Sequence, residues 1–161
     1  MIRTAGVIAA FYSKVLSNLY AWGYNEHGEL GDGTTADRLS PTAIGTCTWK
    51  AITGGGLHSL GIRADDRLYA WGNNDQGKLG DGTTTTRLSP TAIGSCTWKA
   101  IAGGYYHSLG IRADDKLYAW GSNAYGQLGD GTTTDRNTPT AIGSCTWKAI
   151  AGGYYHSLGL K

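Results

Sequence analysis

The stretch "LYAWGSNAYGQLGDGTTTDR" (residues 117–136) decides how this chain is read, because nearly the same phrase begins at Leu19 and again at Leu68. Trp22, Trp71 and Trp120 fall 49 residues apart, and Trp49, Trp98 and Trp147 keep that spacing, as do His58, His107 and His156. A fixed period near 50 is the mark of a repeat architecture. Three units follow, 19–67, 68–116 and 117–161, behind a segment 1–18 that matches none of them. Arg3 followed by a short apolar run hints at a signal peptide there, but the run meets the first repeat with no linker, so a divergent strand or a ragged end is the expectation.

Composition narrows the class. The 161 residues hold 26 Gly, 10 Tyr and 6 Trp against 1 Phe and 3 Pro, which suits short strands joined by tight turns. The formal net charge is +2 with no basic stripe, so nucleic acid is not an expected partner. No apolar run approaches the roughly 20 residues of a membrane helix, and no membrane partner is expected.

Within a unit, "CTWKAIAGG" (96–104) reads as a strand ended by a glycine pair, and "YYHSLGIRADDKLYAWG" (105–121) as a hairpin turning near Asp114–Asp115. A glycine-punctuated loop (122–137) leads to "TPTAIG" (138–143), where Pro139 suits an edge strand because proline donates no ladder hydrogen bond. The count is four strands per unit. Asp130, between two glycines, is placed to bond downstream amides in an Asx-turn rather than to hold calcium, since Thr86 replaces Asp135 in the middle unit and no EF-hand spacing exists.

Alternation puts His107, Leu109 and Ile111 on one strand face, which reads as core, the imidazole bonded to a nearby carbonyl. Three equivalent histidines about an axis could bind zinc, but the apolar face argues against it. Every Ser-His neighbour pair is a copied position, and no catalytic arrangement stands out; no catalytic residue, metal or cofactor is expected. Cys47, Cys96 and Cys145 are likewise one position copied. Packed sheets lie ~10 Å apart, beyond disulfide reach, so these thiols are expected to be small buried hydrophobes. Trp22, Trp71 and Trp120 are expected to be buried beside the next unit.

The phrase "LYAWGxNxxGxLGDGTT", with "SPTAIG", "WKAIAGG" and "HSLGI" in order, resembles the regulator-of-chromosome-condensation repeat over residues 19–161. The resemblance implies an all-β chain, a β-propeller of four-stranded blades that binds proteins on its loop faces without chemistry of its own. Its founding member is a nucleotide-exchange factor for a small nuclear GTPase, which makes guanine-nucleotide exchange an alternative function. Three units are fewer than the four to eight blades of closed propellers, so a partial propeller is expected, an open arc or half of a ring closed by a second chain. A β-trefoil, often sugar-binding, also has three four-stranded units, but the Gln-x-Trp mark of lectin trefoils is missing.

Counted from "WKAIAGG", a blade is divided between the two ends of the repeat array, with "HSLGL" at one end and "LYAWG" at the other. Head-to-tail self-association is therefore a candidate.

The copies differ where binding is free to act. One variable series is Tyr24, Asn73 and Ser122; the next are Glu26, Asp75 and Ala124, then His27, Gln76 and Tyr125, and Glu29, Lys78 and Gln127. Gly56-Leu57 is replaced by Tyr105-Tyr106 and Tyr154-Tyr155. Variable loops of repeat proteins gather on one face as a binding surface, and tyrosine favours protein interfaces, so a protein partner is expected here. The tyrosine pairs could equally pack blade against blade.

Overall fold

Each "HSLGI" folds back on the "LYAWG" that follows it across the Asp-Asp turn, and the computed structural model, which describes residues 17–161, has two such hairpins at its centre. Segment 1–16, with the signal-peptide and divergent-strand readings placed on it, lies outside the described residues. The strands are β1 (Ser17–Gly23), β2 (Arg38–Gly54), β3 (His58–Arg63), β4 (Arg67–Gly72), β5 (Arg87–Gly103), β6 (His107–Arg112), β7 (Lys116–Gly121), β8 (Arg136–Thr146), β9 (Ala149–Gly152) and β10 (Ser157–Leu160). All neighbours pair antiparallel, in the order β1 to β8, with β9–β10 as a separate pair. The chain is all-β and the sheet is open, a partial propeller.

The four strand segments expected per unit are present, but some of them are continuous with one another. In the first two units "SPTAIG" and "CTWKAI" run on as one long strand, β2 or β5, that serves two blades, and in the third the two segments are separate strands, β8 and β9. The first part of the long strand pairs with the strand before it and the second part with the strand after it, with register breaks on either side of the crossing. Two complete four-stranded blades result: 49–54 with β3, β4 and 87–98, then 98–103 with β6, β7 and β8. They are flanked by two half-blades, β1 with the first part of β2, and β9 with β10. The trefoil is excluded, because blades stack in series along the chain rather than closing about a threefold axis. Pro41, Pro90 and Pro139 sit on the strand parts that pair on one side only, where a missing amide does no harm.

The core lies between blades. Leu60, Ile62, Leu68 and Ala70 of one blade pack with Trp98 and Trp120 of the next. Leu19, Ile44, Trp49 and Trp71 repeat the cluster at the first junction, and Leu109, Leu117 and Ala119 at the last. His107, Leu109 and Ile111 are buried as expected. Burial of each such aliphatic side chain contributes about 1.5–3 kcal/mol. Trp71 and Trp120 are 2% and 0% exposed, but Trp22 is 59% exposed. The buried pair lean on the preceding loop, not the next unit: Trp71 Nε1 donates to the Glu29 carbonyl at 2.8 Å, and Trp120 covers Gly80. Among the described residues no loop precedes β1 for Trp22 to cover.

Cys47, Cys96 and Cys145 are exposed, against expectation. Register jumps from Asn18–Thr48 to Tyr20–Ala43, so residues 44–47 stand opposite Leu19 alone. Cys47 rides out on that bulge.

Candidate functional site

The loop after each "LYAWG" and the turn after each Gly-Gly lie at the same end of the blades. Backbone bonds join them: Asn73 N–H donates to the Leu57 carbonyl at 2.8 Å and Ser122 N–H to the Tyr106 carbonyl at 2.9 Å. The two sets of variable positions thus share one face.

Behind that face each blade is pinned to its neighbour by one hydrogen-bond relay. Ser108 Oγ donates to the Lys78 carbonyl at 2.7 Å, and its oxygen lies 2.8 Å from His58 Nε2. One hydroxyl proton serves the carbonyl, so Nε2–H donates to Ser108 and the imidazole is neutral with a bare Nδ1. The same relay runs from His107 to Ser157 to the Gln127 carbonyl. The histidine is bonded to the next blade's serine rather than to a carbonyl, and the rings serve successive junctions instead of converging on a metal. Burial, then the Lys78 cation and His107, lower the His58 pKa to about 3; burial, then His156, lowers His107 to about 4. Gly104 is required because the His107 ring lies flat on its Cα, where a Cβ would stand.

Tyrosines cover these junctions. Tyr105 stacks on Tyr154 at 4.2 Å between ring centroids and Tyr106 on Tyr155 at 5.7 Å, so the pairs do pack blade on blade. Tyr125, from the third loop, meets Tyr155 at 4.7 Å. The outer rings stay open to solvent, with Tyr125 71% and Tyr154 46% exposed. The hydrogen bond between the Tyr106 and Tyr154 hydroxyls raises the Tyr106 pKa. Lys78 is buried, its Nζ 5.4 Å over the Tyr106 ring, and burial lowers its pKa against the pull of Asp75 and Glu29.

The other variable positions stay within their own loops. The Tyr24 hydroxyl bonds to the Glu26 carboxylate, which raises its pKa to about 12, and His27 N–H donates to Glu29. Asn73 and Asp75 bond one another beside Gln76, which holds a φ of 58° on a short 3-10 turn, Asp75–Gly77. In the third loop Gln127 donates to Ser122, and Ala124 is exposed. Tyr105, Tyr106, Tyr125, Tyr154 and Tyr155 form one surface; Tyr24, Glu26 and His27 do not join it.

Sequence reasoning missed what holds these loops. Asn123 is fully buried; its amide donates to Asp130, the Thr132 carbonyl and the Thr134 carbonyl, and its oxygen accepts from Leu128 N–H. Asp130 accepts from Thr132 N–H, the expected Asx-turn, and binds Arg136 at 2.8 Å. Asn25 and Asn74 repeat the arrangement with Asp32 and Asp81. The signal was present in the identity of these residues in all three copies. The hydrogen bonds from Thr132 lower the Asp130 pKa despite burial, with Arg136 adding. A carboxylate held this way serves structure.

Comparison with known proteins gives matches to the regulator of chromosome condensation (RCC1) repeat at residues 17–62, 65–111 and 114–160, and a second profile of that repeat at 49–78 and 98–127. The chain is 65% identical over 26 residues to Ras guanine nucleotide exchange factor C of Dictyostelium discoideum, covering 16% of this chain and 2% of that protein. Prp20p from Saccharomyces cerevisiae superposes with a TM-score of 0.80 at 23% identity over 90% of this chain. Human WBSCR16 superposes at 0.51 with 18% identity over 89% of it. The chain spans 40% of the Prp20p chain and 53% of WBSCR16.

Proposed function

The chain belongs to the regulator of chromosome condensation (RCC1) repeat family, and on that premise we propose that it is a non-catalytic module that binds a protein partner through its loop face. The observation that carries this reading is the tyrosine surface of Tyr105, Tyr106, Tyr125, Tyr154 and Tyr155, half-open to solvent and set on a hydrogen-bonded junction. Tyrosine brings large contact area with few rotatable bonds, and aromatic clusters dominate the energetics of protein interfaces. Exposed Asp75 and Gln76 stand at the same blade end as a polar rim, with the small Ala124 exposed beside Tyr125. Affinity capture with the intact chain and with a Tyr125→Ser, Tyr154→Ser, Tyr155→Ser variant tests it. Proteins held by the first and lost by the second are expected; identical sets, or none held specifically, refute the reading.

Guanine-nucleotide exchange is the second reading, favoured by the likeness to Prp20p, whose structure was described with its binding to Gsp1p and histones. That likeness is one of fold, and fold alone transfers no site. Release of labelled nucleotide from a panel of small GTPases, unchanged by the chain, would remove it.

A further inference from the structure

Identical residues have opposite environments at the two ends of the described sheet. Leu158 is 64% exposed, whereas Leu60 and Leu109 at the same repeat position are 0% and 1% exposed. His156 is exposed where His58 and His107 are buried, and Trp22 where Trp71 and Trp120 are buried. Among the described residues, β1 pairs only with β2 and β10 only with β9. In both complete blades the strand equivalent to β10 pairs with the strand equivalent to β1, with Leu60 opposite Ala70 and Leu109 opposite Ala119. A groove of about 480 Å³ beside β1 is lined by Leu19, Ala21, Leu30 and Trp71. Their equivalents Leu68, Ala70, Leu79 and Trp120 enclose Leu60 one junction on.

We propose that β10 of one copy of this chain pairs with β1 of a second copy and seats Leu158 in that groove. Repeat register sets Leu158 opposite Ala21, Ser157 opposite Trp22 and Leu160 opposite Leu19 of the partner copy. The junction relay extends as well. His58 and His107 each reach the serine 50 residues on, Ser108 and Ser157. The next step takes His156 to Ser59 of the second copy, which already donates to the Glu29 carbonyl at 2.8 Å and stands without a histidine among the described residues. Gly56 N–H and Tyr105 N–H donate to the Gly104 and Gly153 carbonyls, so Tyr154 N–H is set to reach Gly55 of the second copy. The chain's own segment 9–16, "AAFYSKVL", is a poorer occupant, since it carries none of the His, Ser-Leu and Gly of "HSLGI" in register. The contact is heterologous, and two copies closing on each other give six blades, inside the usual range of closed propellers.

Cross-linking tests the register. In a background with Cys47, Cys96 and Cys145 replaced by serine, Leu158→Cys and Ala21→Cys chains are made separately and then mixed under mild oxidation. The Asn73–Leu57 backbone bond fixes Leu60–Ala70, and hence Leu158–Ala21, as a non-hydrogen-bonded pair. Such a pair has Cα atoms ~4.5 Å apart, within disulfide reach. Disulfide-linked pairs are expected from the mixture and not from either variant alone. The 161-residue chain is expected to sediment at micromolar concentration as twice 17.0 kDa, and a Leu158→Asp, Leu160→Asp variant as the monomer with unchanged circular dichroism. A monomeric 161-residue chain, links in a single-variant sample, or links that appear only after removal of residues 1–16 would overturn the proposal.

Discussion

Acidification should destabilise this protein through two histidines before its carboxylates respond. Protonating His58 or His107 places a proton on Nδ1, a buried nitrogen with no acceptor opposite it among the described residues. The folded-state values of about 3 and about 4 therefore lie well below the ~6.5 of an unfolded imidazole. Between these values the unfolded chain binds protons that the folded chain refuses. Stability is thus fully present above about pH 6.5 and is lost as pH falls toward 4. Near pH 5.5 the two sites together give a slope approaching roughly 2.7 kcal/mol per pH unit, and by pH 5 each has removed about 2 kcal/mol. The loop carboxylates act lower. Burial opposes their ionisation, but hydrogen bonds from Thr34 and Arg38 bring Asp32 to about 2, and Thr83 and Arg87 lower Asp81. Their contribution is present above the ordinary carboxylate range and fades only as pH falls below it. Urea unfolding followed by tryptophan fluorescence between about pH 5 and 8 reads the slope, and His58→Gln or His107→Gln should each remove about half of it whatever it does to the baseline. A flat profile over this range, or an undiminished slope in the double variant, would refute the reasoning.

Trp120→Ala should destabilise by roughly 3–5 kcal/mol, while Trp22→Ala, at the open edge, should cost under about 1 kcal/mol in the monomer; equal losses by calorimetry would mean that Trp22 has a cover. Gly104→Ala drives a Cβ into the His107 ring and should cost about 1–3 kcal/mol, read by the same unfolding curves, whereas Gly94→Ala meets no neighbouring atom and suffers only from its φ of 60°. Asn123→Ala strips the third loop of its buried amide and should lower stability by about 3 kcal/mol, with faster amide exchange confined to residues 122–136. Cys47, Cys96 and Cys145 should all react with a thiol reagent in the folded chain; protection of any of them would contradict the bulge that carries it.

The period, the all-β class and the hairpin over "HSLGIRADDKLYAWG" were legible because strand alternation and turn residues are local properties, and three copies make them unmistakable. The buried histidine face was legible for the same reason. What the histidine bonds was not: its serine lies in the following blade, 50 residues away, and no pattern within one unit shows it. The cysteine expectation failed on a register break. Composition cannot show that residues 44–47 face one partner residue and that 45–47 bulge outward. Trp22 failed on context: among the described residues no loop precedes it, whereas a preceding loop buries Trp120.

The contrast between the loops also bears on which variable positions are free for binding. The first, second and third loops reach the same fold with a Tyr24–Glu26 bond, an Asn73–Asp75 pair and a Gln127–Ser122 bond. Three unlike local solutions on one backbone mean that the loop does not depend on any of them. Its shape comes instead from the buried asparagine and the Asp–Arg pair, identical in every copy. The tyrosine pairs differ in kind. They vary between the first unit and the others, yet they stack across the junction beside the His–Ser relay. A partner seated on Tyr154 and Tyr155 would therefore press on the contact that holds one blade to the next, while a partner seated on the loop tips would not. Binding at the tyrosines should tighten the His107–Ser157 junction and slow exchange of its amides, and binding at the loop tips alone should leave them unchanged.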